Sequence, residues 1–259
     1  MSSPANLPKK RLGQHFLKDP NTARIVAEGV TEDDVVLEVG PGRGFLTAFL
    51  AERAGLVHAV ELDPDVLPGL RGAVCDRDNV VVHEGDALRL DYSDLDPAPN
   101  KLAANLPYNI ASPLVLRLLE EVETLRTLRF MVQLEVARRM AAERGSKDYA
   151  AYAVLAQLLA RVEISHKVPP TVFDPPPRVH SAVVEMVRRE PPDGYTGIKR
   201  LVLGAFRSRR KRLVNNLPEP VRREAPRVLE SLGYGPNVRA EELAPEDFAA
   251  LYVALSWAL

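Results

Sequence analysis

Short apolar runs that alternate with helical stretches constrain the fold of this chain more than any other feature. The runs rich in β-branched or aliphatic residues are Val35–Val39, Leu56–Val60, Val80–Glu84, Lys101–Ala104 and Leu128–Leu134. Helical spacing with good helix formers follows several of them, as in 45–52 and 112–122. Strands that alternate with helices form a mostly parallel sheet. The sequence therefore predicts an α/β fold.

The second half of the chain adds two strands and then becomes helical. Val162–Val168 and Ala182–Val187 are joined without a helix, which predicts a seven-stranded mixed sheet with one antiparallel strand. Pro191–Gly194 is typical of a domain boundary. We therefore predict an α/β domain over residues 1–190 and a small all-α carboxyl-terminal domain over residues 191–259.

Composition limits the classes of protein to consider. With 46% hydrophobic and 27% charged residues among 259, the chain can form one large core and a smaller second domain. Cys75 is the only cysteine, which rules out an intrachain disulfide and a cysteine-based metal site and favours a reducing compartment. No apolar run is long enough for a signal peptide or a membrane span. We expect a cytoplasmic protein without a metal site.

A glycine-rich loop after the first strand predicts a nucleoside-binding site. Gly40, Gly42 and Gly44 permit a tight turn and a close approach of the backbone to a ligand. Their G-x-G-x-G spacing is shorter than the dinucleotide fingerprint and forms less of a pyrophosphate cradle. The loop therefore favours S-adenosylmethionine over NAD, although such a loop alone is a weak signal.

Carboxylates at the predicted strand ends support the same cofactor. Glu38 can face the ammonium group of an amino acid, directly or through water, and Glu61 can accept from both ribose hydroxyls. Asp86 can accept from the adenine amine. The alternative for each carboxylate taken singly is a solvated acid at the end of a strand. The agreement of several neighbouring strand ends favours a cofactor site.

The stretch Asn105–Tyr108 predicts a pocket for a flat base that carries an exocyclic amine. The amide oxygen of Asn105 and the carbonyl of Pro107 can both accept from that amine, and Tyr108 offers a stacking face. The lone pair of such an amine is delocalised into the ring, and two acceptors localise it. Phe173 is expected to press on the other face of the base, with a core aromatic as the alternative.

Two basic clusters predict contacts with nucleic acid phosphates. A formal net charge of -1 argues against a uniformly basic surface, so the clusters stand out. One cluster lies near the amino terminus and the other on a helix predicted over residues 198–216. Their members are Lys9, Lys10, Arg11, Arg207, Arg209, Arg210, Lys211 and Arg212. The alternative for the second cluster is a solvated helix face.

These motifs, in this order, resemble the KsgA-type ribosomal RNA adenine-N6 dimethyltransferases. The resemblance runs from about Lys9 to Arg188 and extends more loosely over the carboxyl-terminal helices. It implies a Rossmann-like class I methyltransferase fold. The matching segments are Lys10–Leu17, Glu38–Gly44, Glu61–Asp63, Gly85–Ala87, Asn105–Ile110 and Pro175–Val179.

The resemblance also implies a function. It implies dimethylation of two adjacent adenosines in small-subunit ribosomal RNA during ribosome biogenesis, with pre-30S-type particles as partners, and we expect a monomer. It places a set of residues at cofactor positions, namely His15, Leu17, Gly40, Glu61, Asp86 and Asn105.

Three alternatives stay open from the sequence. They are a methyltransferase acting on large-subunit RNA, an RNA-binding ribosome-assembly factor with secondary catalysis, and a DNA adenine methyltransferase. The chain departs from the family pattern at Tyr149–Val154 and at Gln133–Glu135, which concerns contacts with the substrate rather than the cofactor.

Overall fold

A computed structural model describes residues 14–255 of the chain. Its strands are Phe16–Leu17 (β1), Val35–Val39 (β2), Leu56–Glu61 (β3), Val80–Glu84 (β4), Lys101–Asn105 (β5), Thr127–Gln133 (β6), Ala160–Val168 (β7), Phe173–Asp174 (β8) and Ser181–Arg188 (β9). Its helices are Pro20–Val26 (α1), Phe45–Ala51 (α2), Leu67–Ala73 (α3), Ala111–Glu121 (α4), Leu134–Met140 (α5), Ala151–Leu159 (α6), Tyr195–Ala205 (α7), Val221–Ser231 (α8) and Pro245–Leu255 (α9).

Within residues 14–255, seven of the strands form one mixed sheet in the order β4-β3-β2-β5-β6-β9-β7. β2 pairs in parallel with β3 and β5, β3 with β4, and β5 with β6, whereas β9 is antiparallel to β6. The register places Glu61 opposite Glu84 and Asn105 opposite Met131. The carboxyl ends of the parallel strands therefore meet at one edge. The predicted seven-stranded mixed sheet is confirmed.

The central strands are apolar because both faces of the sheet are covered. Val36 and Ala103 are buried in one cluster with residues of α1 and α2, such as Val26 and Leu50. Asp19 caps α1, since its side chain accepts from the backbone N–H of Thr22 at 2.7 Å. These contacts fix the strands from whose ends the site is built.

Three local features differ from the sequence prediction. β1 and β8 form a two-stranded antiparallel sheet, which pairs Leu17 with Phe173 and was not predicted because two-residue strands carry no periodic pattern. α3 was missed because its sequence, LPGLRGA, contains a proline and two glycines. The helix predicted over 198–216 is wrong, since α7 ends at Ala205. Asn216 Nδ2 donates to the Ala205 and Ser208 carbonyls, at 2.7 and 3.1 Å, and so satisfies the end of the helix.

The described chain divides into two compact units, residues 14–137 with 162–188 and residues 138–161 with 189–255. The first holds the cavity described below. The predicted boundary after residue 190 lies close to the change at Arg188, but residues 138–161 belong to the second unit. The reason is that α6, buried on most of its faces, packs against α7 and α9.

The second unit is a helical cluster around aromatic side chains. Phe206 lies between Tyr149 and Phe248, with ring centroids 6.2 and 5.9 Å away, and the Tyr149 hydroxyl donates to the Leu243 carbonyl at 2.9 Å. The longest helices of residues 14–255 span 11 residues. None of the helices in that range is both long and apolar enough to cross a membrane.

Candidate functional site

A cavity of about 730 Å³ lies at the carboxyl edge of the sheet in the first unit. Its volume is that of a site for a small molecule. The lining comes from the amino-terminal segment, which we define as residues 14–17, from the glycine loop, and from the ends of β2, β3 and β5. The residues predicted for the cofactor all line it, namely His15, Leu17, Glu38, Gly40, Gly42, Gly44, Glu61, Asp86 and Asn105.

The glycine loop can be built only with glycine. Gly40, Gly42 and Gly44 have φ values of +72°, +59° and +84°. A Cβ atom on Gly40 would lie 2.9 Å from the ring of Pro107, and one on Gly42 would lie 2.9 Å from the ring of Phe16. The loop is therefore pressed between two other parts of the cavity wall, which leaves its backbone close to any bound ligand.

Glu61 holds the glycine loop in place. One oxygen accepts from the backbone N–H of Gly42 at 2.9 Å, and the other accepts from the N–H of Asp63 at 2.8 Å. Burial raises the pKa of Glu61, and these hydrogen bonds oppose the rise. A carboxylate has about four acceptor sites, so Glu61 can still accept from ribose hydroxyls.

Glu38 is the buried acid best suited to a cationic ligand. Its side chain is 1% exposed, and its Oε2 atom has no hydrogen-bond partner among the described residues. Burial, with the charge of the neighbouring Glu61, raises the pKa of Glu38 to about 8. An ammonium group in the cavity would supply the missing partner and favour the ionised form.

Asp86 also lines the cavity, just after β4. Its Oδ1 atom accepts from the backbone N–H of Leu88 at 2.9 Å, and Arg89 lies 3.6 Å from Oδ2. The Asp86 side chain is one-third exposed, so it keeps acceptor capacity toward the cavity.

Asn105 presents an acceptor to the cavity. Its Nδ2 group donates to the backbone carbonyl of His15 at 3.0 Å, which fixes the orientation of the amide. Its Oδ1 atom is buried and has no partner within residues 14–255. The Pro107 carbonyl accepts from the N–H of Ile110 at 3.2 Å and has a second lone pair.

Tyr108 is held at both its hydroxyl and its ring. The hydroxyl is 2.7 Å from Ser181 Oγ, and the ring stacks against His15 with centroids 5.6 Å apart and an interplanar angle of 29°. Burial raises the pKa of Tyr108, and the bond to Ser181 opposes this. The ring is neutral and positioned at the cavity wall.

Phe173 does not reach the cavity. Its side chain is fully buried in the apolar cluster with Leu17, Met131 and Val183. Because β8 pairs with β1, the side chain points into the core between the amino-terminal segment and the sheet. This burial fits the core-aromatic alternative, and the contact of Phe173 with a base stays a prediction.

Of the two predicted basic clusters, only the second lies within the described residues. Lys9, Lys10 and Arg11 lie outside the described residues. The second cluster is exposed, but it occupies a 3-10 turn and a bend after α7 rather than a helix. One member has a structural role, since Arg209 Nε donates to Glu241 and its Nη2 donates to the Ser146 carbonyl at 3.1 Å. The remaining members are Arg207, Arg210, Lys211 and Arg212.

Several residues that shape the site were given no role from the sequence. Gln14 Nε2 donates to Asp63 Oδ2 at 2.8 Å, and the Arg43 guanidinium lies 4.5 Å from the centroid of the Phe16 ring. Together with Ser181, these residues attach the amino-terminal segment and Tyr108 to the cavity. All of these contacts join positions far apart in the chain, so periodicity and local spacing carry no signal for them. Within residues 14–255 no group of three or more His, Cys, Asp or Glu side chains is arranged to hold a metal.

Comparisons with known proteins agree with this geometry. Residues 5–256 match the family model described as ribosomal RNA adenine dimethylase. A ribosomal RNA small subunit methyltransferase A from Rubrobacter xylanophilus is 72% identical over 250 residues, which cover 96% of this chain and 95% of that protein.

Two solved structures share the fold over nearly the whole chain. A dimethyladenosine transferase from Plasmodium falciparum has a TM-score of 0.82 and 26% identity, and the match covers 94% of this chain and 98% of that one. The 23S rRNA methyltransferase ErmE has a TM-score of 0.74 and 30% identity, with coverage of 93% and 99%.

Proposed function

Because the chain belongs to the ribosomal RNA adenine dimethylase family, it is a methyltransferase, and we propose that it dimethylates N6 of adenosines in small-subunit ribosomal RNA with S-adenosylmethionine. One observation carries the proposal for the site. Asn105 Oδ1 is a buried acceptor at the cavity without a partner among the described residues. A buried acceptor without a donor is costly, and an exocyclic amine supplies the donor.

The cofactor end of the cavity fits S-adenosylmethionine. Glu38 would hold the ammonium group, Glu61 the ribose hydroxyls and Asp86 the adenine amine, with the glycine loop against the amino-acid portion. The unpartnered Oε2 of Glu38 and the glycine-only loop support this fit. When bound, the cofactor supplies an electrophilic methyl group on a positively charged sulfur.

At the other end, Asn105 and Pro107 prepare the nucleophile. If Asn105 Oδ1 and the Pro107 carbonyl both accept from N6, the nitrogen becomes pyramidal and its lone pair is localised. That stabilisation is greater in the transition state than in the ground state, so it accelerates the reaction. Alignment with the methyl group supplies much of the remaining effect. Once methylated, N6 carries a positive charge and releases one proton to water, so neither a metal nor a strong base is needed.

Tyr108 provides the stacking surface for the target adenine. A stacked base contributes about 1–3 kcal/mol of binding energy, and the ring of Tyr108 is already fixed by Ser181 and His15. The target base must leave its own stack to reach the cavity.

The exposed cations after α7 would neutralise RNA phosphates. The proposed substrate is a pair of adjacent adenosines, each methylated twice, in a pre-30S-type particle. The chain would act on it as a monomer in the cytoplasm.

The proposal is tested by methyl transfer from labelled S-adenosylmethionine to small ribosomal subunits that lack adenine dimethylation. Large-subunit RNA and duplex DNA are assayed in parallel, and the products are digested to nucleosides. We expect N6,N6-dimethyladenosine only from the small subunits. N6,N6-dimethyldeoxyadenosine from duplex DNA, without product from the small subunits, would contradict the proposal.

The likeness to ErmE supports a second candidate, methylation of large-subunit RNA. Methyl label in large-subunit RNA alone would favour this second candidate. Binding to small subunits without label in any sample would instead favour a ribosome-assembly factor.

A further inference from the structure

His15 links the two ends of the cavity. Its backbone carbonyl accepts from Asn105 Nδ2 at 3.0 Å, its ring stacks on Tyr108, and its Nδ1 atom lies 2.8 Å from the carbonyl oxygen of Pro175. A carbonyl oxygen only accepts, so this last contact requires a hydrogen on Nδ1 of His15. The side chain thereby anchors its own backbone in front of Asn105.

The His15 carbonyl decides which face of the Asn105 amide meets the cavity. An amide can present either its oxygen or its NH2 group. Because the His15 carbonyl needs a donor, the NH2 group of Asn105 turns toward it and Oδ1 turns away. A rotated amide would offer donors to an amine that also donates, and the target could not bind productively.

The side chain of His15 also fixes the orientation of the Tyr108 ring. Ser181 fixes the hydroxyl of Tyr108 at 2.7 Å, which leaves the ring free to rotate about the line through its hydroxyl. The stacked imidazole of His15 restricts that rotation. Both groups that would receive the adenine therefore depend on His15.

We propose that His15 is a positioning residue for the methyl acceptor, through Asn105 and Tyr108, a role that rests on the proposed function. Because His15 lies in the amino-terminal segment that also lines the cofactor end, one segment completes both ends of the cavity. The adenosine pocket is complete only when this segment is in place.

The test compares His15→Ala with the wild-type chain on small subunits that lack adenine dimethylation. Misplacement of reacting groups by about 1 Å can cost about 100-fold, so we expect kcat at saturating cofactor to fall about 10- to 100-fold. The dissociation constant for S-adenosylmethionine, measured by titration, should change much less. His15→Asn keeps an N–H donor at the δ position for Pro175 and should recover part of kcat.

His58→Ala is the matched control, because His58 also contacts a proline carbonyl, with its Nε2 atom 2.9 Å from Pro97, and a second ring, that of His83, but does not line the cavity. We expect it to lower stability, while kcat at saturation and the dissociation constant for S-adenosylmethionine stay near those of the wild type. Thermal unfolding of each variant confirms that it is folded.

Wild-type kcat in His15→Ala, or an equal loss of kcat in His58→Ala, would overturn the role of His15. Absence of product with the wild-type chain would instead overturn the proposed function. The two failures are therefore distinct.

Discussion

The two ends of the cavity are assembled in different ways. At the cofactor end, Glu61 bonds backbone groups 2 and 19 positions away, just after β3 and in the glycine loop after the neighbouring β2. At the acceptor end, Asn105 bonds a residue 90 positions away and Tyr108 bonds one 73 positions away. The cofactor end is thus built by neighbouring strands, whereas the acceptor end requires distant segments to converge.

This difference implies a division of labour. Groups on neighbouring strands are rigid and suited to binding the cofactor. Groups held by converging segments control the geometry of the reacting amine. We therefore expect substitutions at the cofactor end to change affinity and substitutions at the acceptor end to change the rate.

The largest effect is expected from Asn105→Ala. Removal of one preorganised group that stabilises a transition state typically costs about 100- to 1,000-fold in kcat. We expect a loss of at least that size in single-turnover methyl transfer, with most of the RNA affinity retained. Rapid-quench assays and RNA titrations on the same preparation measure the two quantities.

Asn79→Ala is a matched control for the loss of a structural amide. Asn79 Nδ2 donates to the Ala51 and Ala54 carbonyls, at 3.0 and 2.8 Å, and Asn79 does not line the cavity. We expect lower stability and an unchanged rate. Wild-type turnover in Asn105→Ala would remove Asn105 from the mechanism.

An intermediate effect is expected from Glu38→Gln at the cofactor end. A hydrogen bond to a charged group is worth about 1.5–3 kcal/mol, so the affinity for S-adenosylmethionine should fall by about 10- to 100-fold. The rate at saturation should change less. Because an ammonium partner favours ionised Glu38, the affinity of the wild-type chain for S-adenosylmethionine should rise as the pH approaches 8. Glu38→Gln has no carboxyl group at this position, so its affinity should lack this rise.

Glu38→Gln should also alter how the stability of the cofactor-free chain depends on pH. The folded chain keeps a proton on Glu38 up to a pKa of about 8, whereas the unfolded chain releases it near 4.5. Stability from this group is therefore present below pH 4.5 and lost as the pH rises through 8. Denaturant unfolding from pH 5 to 8.5 should show that loss in the wild type and a flatter profile in Glu38→Gln.

Asp34→Asn is a control, because the contribution of Asp34 to stability depends on pH in the opposite direction to that of Glu38. Burial opposes ionisation of Asp34, but bonds from Lys101 and Thr31 lower its pKa below the ordinary value. Its contribution is present at neutral pH and lost as the pH falls. We expect Asp34→Asn to be less stable at pH 7 and to keep its cofactor affinity. A loss of cofactor affinity equal to that of Glu38→Gln would refute a specific role for Glu38.

The smallest effect is expected from the exposed cations after α7. Arg210→Ala with Lys211→Ala should weaken RNA binding about three- to tenfold and reduce the salt slope by about 1.5. Arg209→Ala, which breaks the contacts with Glu241 and Ser146, should also lower stability. Filter binding at several salt concentrations measures the RNA affinity and its salt slope. An unchanged slope in the double variant would leave these residues as a solvated surface.

Much of the cofactor end could be predicted from the sequence, because its signals are local. The strand, the three glycines and Glu38 lie within ten residues, and the positive φ values of the glycines follow from their spacing in a tight turn. Glu61 was predicted at the end of its strand, although its bonds to the glycine loop were not.

The acceptor end could be predicted only in part. Asn105 ends β5 and Tyr108 follows it, so the sequence could predict both positions, but the contacts that orient them come from His15 and Ser181. The burial of Phe173 in the core depends on the pairing of β1 with β8, which the sequence pattern did not predict. Tertiary contacts likewise end α7 early, through Asn216.

The most direct test of the account is a crystal structure with S-adenosylhomocysteine and an adenosine-containing RNA fragment. We predict that N6 of the target adenine lies about 2.7–3.2 Å from both Asn105 Oδ1 and the Pro107 carbonyl oxygen. The bond from Asn105 Nδ2 to His15 should be retained. An adenine bound away from Asn105, or an Asn105 amide turned with its NH2 group toward N6, would contradict the account.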